Sequence, residues 1–218
     1  MNPYRVALAL IVVALIALGI YEILQVRKVD AATPALVAAA HAEIGAQTPL
    51  PADWTEALLT VEDPHFAQHH GVDFMTPGQG PTTITQVLAA KLYADYTKPL
   101  IASFEDGLYA VVVLDARVSK DEQLKLYEGL VDLGAVQGQA IHGFGNGARA
   151  YFGKPLSRLS KHQFLQLVAM EMSPAQLDPR EHAQANAERT ARIERLIAHQ
   201  CKPRDHDDVW LVDCRSPA

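Results

Sequence analysis

The chain has 218 residues, 49% hydrophobic and 20% charged, with 19 Lys and Arg against 25 Asp and Glu. That is enough for one domain and too apolar for a disordered protein. A formal net charge of −6 without a basic block disfavours a general nucleic-acid binder, and two cysteines exclude both a disulfide-dense scaffold and a four-cysteine zinc site.

The first element is an apolar helix. Val6 to Tyr21 is uncharged, and Ile23 and Leu24 extend the run past Glu22. Crossing a bilayer takes about 20 such residues. Core helices are rarely apolar on every face. Val29-Asp30-Ala31 is a poor cleavage site and lies well beyond the run, so an uncleaved anchor over 6–24 is favoured over a signal peptide. Arg5 precedes the span while Arg27 and Lys28 follow it, so the positive-inside rule does not orient it. Residues 31–52 read as an Ala-rich lead-in, a short helix ending at a Pro-bounded turn.

From Asp53 onward the pattern is helical. Asp53 with Glu56, Thr83 with Gln86, Ser119 with Glu122 and Ser160 with Gln163 all read as capping boxes. They precede apolar runs at 57–61, 87–93, 124–133 and 164–172. The run from Gly107 to Leu114 reads as a buried central helix, and Gln184 to His199 as a final amphipathic one. Cys201 and Cys214 close a short loop whose disulfide would suit an exported domain. The organisation is an anchor (6–24), a lead-in (31–52), a mostly helical domain (53–200) and a tail (201–218).

Two stretches carry candidate chemistry. The first runs from Val61 to Phe74, where Glu62 and Asp63 end an apolar helix. Apolar walls and the negative end of the helix dipole both raise a carboxyl pKa, which suits proton transfer near neutral pH. Exposed charges at a helix end are the plainer alternative. The second is the Gly/Pro loop from Gly78 into the helix beginning near Thr83. Loop amides and a helix N-terminus can hold a phosphate, although ordinary capping needs no ligand.

Together these stretches resemble the glycosyltransferase family 51 domain. This is the peptidoglycan polymerase module of class A penicillin-binding proteins and monofunctional transglycosylases. Glu62, Asp63, Phe66, His69 and Gly71 match its first motif, and Gly80, Thr82, Thr83, Ile84, Thr85 and Gln86 its second. Ala116 to Glu128 is similar to its Ser-Lys-Asp-Glu helix. Gly134, Gly143, Phe144 and Tyr151 to Lys154 fit a later motif, followed by Ala187 and Arg189. The resemblance spans Asp53 to Ile197.

The resemblance implies an all-α, lysozyme-like fold with one N-terminal transmembrane helix. The substrate would be lipid II, polymerised by transfer of the growing glycan to an incoming 4-hydroxyl, with inversion and loss of the lipid pyrophosphate. Glu62 would be the general base. Asp63, Phe66, His69, Gly71, Gly80, Thr83, Thr85, Gln86 and Lys91 would form the substrate site, with the Gly80–Gln86 loop on the pyrophosphate. No protein-held metal is expected. A divalent cation (Mg or Mn) at the pyrophosphate is the only cofactor candidate. The partners would be lipid II, nascent glycan, the membrane and cell-wall synthesis proteins, and not nucleic acid. The setting would be the bacterial inner membrane, single-pass, with the domain on the periplasmic side.

The third motif of the family departs. Ser103 and Phe104 stand where it has Arg-Lys, and Gly107 where it has Glu. Glu105 and Asp106 are one or two residues out of register, roughly 100° to 200° around a helix. Gly129 replaces an Asn. A leaving pyrophosphate wants positive charge, and Lys91, Lys98, Arg117 and Lys120 are the remaining candidates. The alternatives are therefore a member that binds lipid II or cell-wall partners without polymerising, and a lysozyme-like hydrolase, which lacks an obvious second carboxylate. A metal site at His65, His69 and His70 is disfavoured for want of a full ligand set. Gly143 to Gly147 follows no convincing strand and is discounted as a nucleotide loop. Glu171, inside an apolar helix, receives no role.

Overall fold

A computed structural model describes residues 3–215. Helix α1 (Pro3–Ile44) is a single rod of 42 residues, which at 1.5 Å per residue is about 63 Å long. Its apolar window is long enough to cross a membrane and is nowhere buried inside the molecule. Further along, Val29, Thr33 and Ala40 are buried against the domain. The lead-in expected over 31–52 is therefore no separate element as far as Ile44. Pro34 lies inside the helix, where a proline costs about 3 kcal/mol. Ala-rich flanks favour the helix, and docking holds it: the Thr33 hydroxyl meets the Tyr93 hydroxyl at 3.0 Å, and Arg117 grips Asp30 through two bonds of 2.6 and 2.9 Å.

Helix α2 (Ala52–Glu62) has Pro51 as its N-cap and no side-chain cap. The Asp53 box is thus not formed. The helix starts earlier, and the Asp53 carboxylate instead pairs with Lys161 at 2.9 Å. Helix α3 (Ile84–Leu92) starts at Thr83 with a complete capping box. Helix α4 (Ala102–Tyr109) passes into a π-turn at Ala110–Leu114 and then α5 (Asp115–Arg117). The expected central helix therefore exists, but Val111 and Val112 remain 38% and 46% exposed. Helix α6 (Lys120–Leu130) is capped by Ser119 through the Glu122 amide.

A hairpin follows that the helical reading did not contain. Strands β1 (Asp132–Val136) and β2 (Gln139–His142) pair antiparallel, Ala135 opposite Ala140, with an irregularity between Asp132 and Ala135. Gln137 and Gly138 turn it, both at positive φ, as a two-residue primed turn requires. A strand therefore does precede Gly143, but Gly143 leads straight into helix α7 (Phe144–Phe152). A β-carbon at Gly143 would sit 2.4 Å from the Gly129 carbonyl oxygen, so backbone packs directly on backbone here.

Helix α8 (Lys161–Glu171), capped by a Ser160–Gln163 box, is the buried centre, with Phe164, Leu165, Leu167, Val168, Ala169 and Met170 in the core. Phe164 stacks on Trp54 at 4.8 Å and leans on Phe144 at 5.1 Å. Short α9 (Pro174–Leu177) and amphipathic α10 (Ala183–Ile197) close the domain. The tail is tied by a Cys201–Cys214 disulfide.

Candidate active site

Glu62 is the last residue of α2, and Asp63 turns the chain out of the helix. Asp63 is fully buried. Its carboxylate accepts from His69 Nε2 at 2.9 and 3.0 Å and from the Ile84 amide at 3.0 Å, at the positive end of α3. His69 Nδ1 accepts from the Gly71 amide at 3.1 Å, so Nε2 carries the ring proton toward Asp63. Gly71 has φ +91°, and a β-carbon there would lie 2.8 Å from the Ala110 backbone. Phe66 is buried, with Lys120 Nζ 4.5 Å above its ring. The first motif thus joins α2 to α3. Only Glu62 among these residues faces the cleft.

That cleft measures about 400 Å³ and is lined by Glu62, Gln79, Tyr127, Glu171, Arg189 and Val209, among others. Burial is the main cause pushing Glu62 up, to about 7, against the pull of Arg189 and a hydrogen bond from Glu171. Glu171 is raised further, by burial and then by the neighbouring Glu62. The Tyr127 hydroxyl donates to Glu171 Oε2 at 3.1 Å. The second carboxylate that sequence reasoning did not find is therefore Glu171. Its one signal was a lone charge in the apolar run from Leu167 to Met172.

The second motif is less open than expected. Gly80 N–H donates to the His206 carbonyl at 2.9 Å and Gly78 N–H to that of Asp205 at 2.8 Å. The Thr83 hydroxyl donates to the Gly71 carbonyl at 2.6 Å and its amide to Gln86 Oε1 at 3.0 Å. The Thr85 hydroxyl donates to Gln123 Oε1 at 2.7 Å. The Gly78 and Gly80 amides and the Thr83 and Thr85 hydroxyls are thus committed inside the fold. Gln79, which sequence reasoning passed over, donates to the Glu62 and Thr82 carbonyls at 3.1 and 2.9 Å and latches this loop to α2.

The cations tell the same story. Lys91 donates to the Leu130 carbonyl at 2.8 Å, away from the cleft lining. Lys98 sits 3.5 Å over the Tyr21 ring, Arg117 holds Asp30, and Lys120 pairs with Asp115 at 2.8 Å. Glu105 is buried and accepts from the Lys98 amide at 2.5 Å, so it does not stand in for a carboxylate at Gly107. His65, His69 and His70 turn to Thr76, Asp63 and Asp115 respectively. Among the described residues no group of three or more His, Cys, Asp or Glu side chains could hold a metal ion.

The model of the transglycosylase family matches residues 35–198. The chain belongs to the transglycosylase family. It is similar to penicillin-binding protein 1B of Vibrio cholerae, 34% identical over 155 residues, covering 65% of this chain and 20% of that protein. Penicillin-binding protein 1B of Escherichia coli is 30% identical over 158 residues, 66% of this chain and 19% of that one. Penicillin-binding protein 4 of Bacillus subtilis is 27% identical over 157 residues, 66% and 24%. The chain spans about a fifth of the length of these relatives. With its apolar N-terminal helix, long enough to cross a membrane, this member of the family is a membrane-anchored protein.

Proposed function

We propose that this transglycosylase polymerises lipid II into glycan strands, with Glu62 as the general base. The observation that carries the reading is the Glu62 carboxyl, opening into the cleft with its midpoint pushed up to about 7. In the proposed step the acceptor 4-hydroxyl attacks the donor anomeric carbon. Its proton passes to Glu62, the carbon–oxygen bond to the pyrophosphate breaks, and the lipid pyrophosphate leaves with inversion. A base whose midpoint lies near the working pH is matched to such a transfer. The domain would work on the periplasmic side of the inner membrane. Exposed Leu100, Phe104, Val111 and Val112 would rest on the lipid that carries the substrate, and cell-wall synthesis proteins would be its partners.

A second reading has its own support. The committed amides at Gly78 and Gly80, the paired lysines and the missing carboxylate at Gly107 leave the leaving group poorly served. They favour a member that binds lipid II with impaired turnover. A lysozyme-like hydrolase is disfavoured. Glu62 and Glu171 line one cleft and perturb each other there, whereas a glycosidase pair works as two separately placed groups roughly 5 to 9.5 Å apart. The test is detergent-solubilised full-length protein with labelled lipid II, with and without Mg or Mn, beside Glu62→Gln. A glycan ladder lost in the variant supports polymerisation. Bound lipid II without a ladder supports the second reading.

A further inference from the structure

Four helices deliver one side chain each to the same spot: Glu62 from α2, Tyr127 from α6, Glu171 from α8 and Arg189 from α10. Glu171 lies outside the motifs that carry the family resemblance. Its two oxygens are unequal. Oε2 accepts the Tyr127 hydroxyl. Oε1 is buried and has no hydrogen-bond partner among the described residues, and Glu171 lines the same cleft as Glu62. Two ionised carboxylates so placed would repel, while one proton between them makes a short, charge-assisted hydrogen bond.

We propose that Glu171 is a positioning residue for Glu62: the two carboxyl groups share one proton, carried on Glu171 Oε1 and donated to Glu62, while Tyr127 fixes the other oxygen. The inference rests on Glu62 being the general base and deepens that reading.

The surrounding charges agree. Arg189 is 5% exposed, and its Nε and Nη1 have no partner among the described residues. It attracts Glu62, so one cation faces a pair carrying a single negative charge. Asp63, beside Glu62, is held by His69 and the Ile84 amide. Asp132 of β1 lines the cleft, and Arg192 of α10 and Asp208 of the tail also act on Arg189, with opposite signs. Burial raises both carboxyls, so the pair keeps hold of one proton, and the unpartnered, buried Glu171 Oε1 is the oxygen placed to carry it.

The proton count then balances. The pair begins a cycle with one proton and a charge of −1. It accepts the proton of the acceptor hydroxyl as the glycosidic bond forms, and becomes neutral with two. Release of one proton to water through the cleft restores the start. Glu171 keeps the Glu62 carboxylate turned toward the hydroxyl and stops it from being captured whole by Arg189.

The deciding experiment is a carbon-13 NMR titration of the full chain in detergent, labelled at glutamate side-chain carboxyls. Wild type is compared with Glu62→Gln, Glu171→Gln and Glu171→Leu. The expected wild-type result is two linked resonances, the first step near pH 7. Glu171→Gln, which still offers a hydrogen-bond donor, keeps the Glu62 midpoint. Glu171→Leu, which fills the space without a donor, moves it up by roughly one unit. A Glu171 midpoint near the ordinary value of about 4.3, indifferent to Glu62→Gln, overturns the proposal. A Glu62 midpoint unmoved by Glu171→Leu also overturns it. In lipid II polymerisation the acid limb follows the same order, with kcat lowered more by Leu than by Gln at constant KM. If wild type makes no polymer, the glycosyltransferase reading fails, and the titration still decides the shared proton.

Discussion

Replacing Glu62 by glutamine stabilises the fold at alkaline pH and leaves it unchanged in acid. The Glu62 carboxyl rises from an ordinary 4.5 to about 7 in the folded protein, chiefly by burial. Between those values the folded chain binds more protons than the unfolded one, so stability falls as pH rises through the window. Below 4.5 the acid is neutral in both states, and no penalty exists. Above 7 it is ionised in both, and at about 1.4 kcal/mol per unit the folded state carries a penalty on the order of 3 kcal/mol. Glutamine has nearly the same shape and never ionises, so it removes that penalty. A domain of this size shifts by roughly 2–4 °C per kcal/mol, so the variant melts about 6–12 °C higher at pH 8 and level with wild type at pH 4.5. Circular dichroism melts of both proteins in one detergent measure it. A difference that is the same at both pH values, or a less stable variant at pH 8, refutes the argument. The same substitution abolishes polymerisation, so stability and activity move in opposite directions at this position.

Thr83→Ala loses the α3 cap and the bond to the Gly71 carbonyl, and costs about 1–2 kcal/mol in denaturant unfolding. Thr83→Ser keeps most of it. Gly143→Ala drives a methyl into the Gly129 carbonyl at positive φ, and lowers stability by about 2–3 kcal/mol. A β-carbon at Gly107 meets only the Gln86 amide nitrogen, at 3.6 Å. The triple change Ser103→Arg, Phe104→Lys and Gly107→Glu therefore fits, and raises lipid II turnover by on the order of tenfold or more; an unchanged rate counts against the role assigned to the third motif. Removing both Cys201 and Cys214 costs about 3 kcal/mol by loop entropy. Hydrogen exchange then speeds up at the Gly78 and Gly80 amides before it does in α8.

Much of the fold is legible in local signals. Thr83 and Ser160 form the boxes their spacing demands, and the anchor and α10 follow from hydropathy and period. Asp53 misleads because Pro51, already extended (ψ 144°), starts α2 earlier. The hairpin is hidden because DLGAV and QAIH are too short and mixed to show a strand period. At the site, Glu62 is readable as a carboxylate ending an apolar helix. Glu171 is not readable as its partner, because 109 positions of chain separate two residues that only tertiary packing brings together. The committed state of the Gly80 loop is equally invisible, since its acceptors are backbone carbonyls in the tail, and a backbone carbonyl has no residue signature.

Helix α1 passes from the apolar span into the domain without a joint. A protein on a flexible stalk samples every height and heading above its bilayer. A protein on a continuous rod, clamped by Arg117 on Asp30 and by Tyr93 on Thr33, keeps its cleft at one height and heading relative to that rod. Height along the rod and the compass bearing of the cleft around it become a single variable, read out in steps of 1.5 Å and 100° per residue of helix. Glycan leaving such a cleft would be laid down along a set direction relative to the anchor, and the rod acts as the keel that keeps that direction.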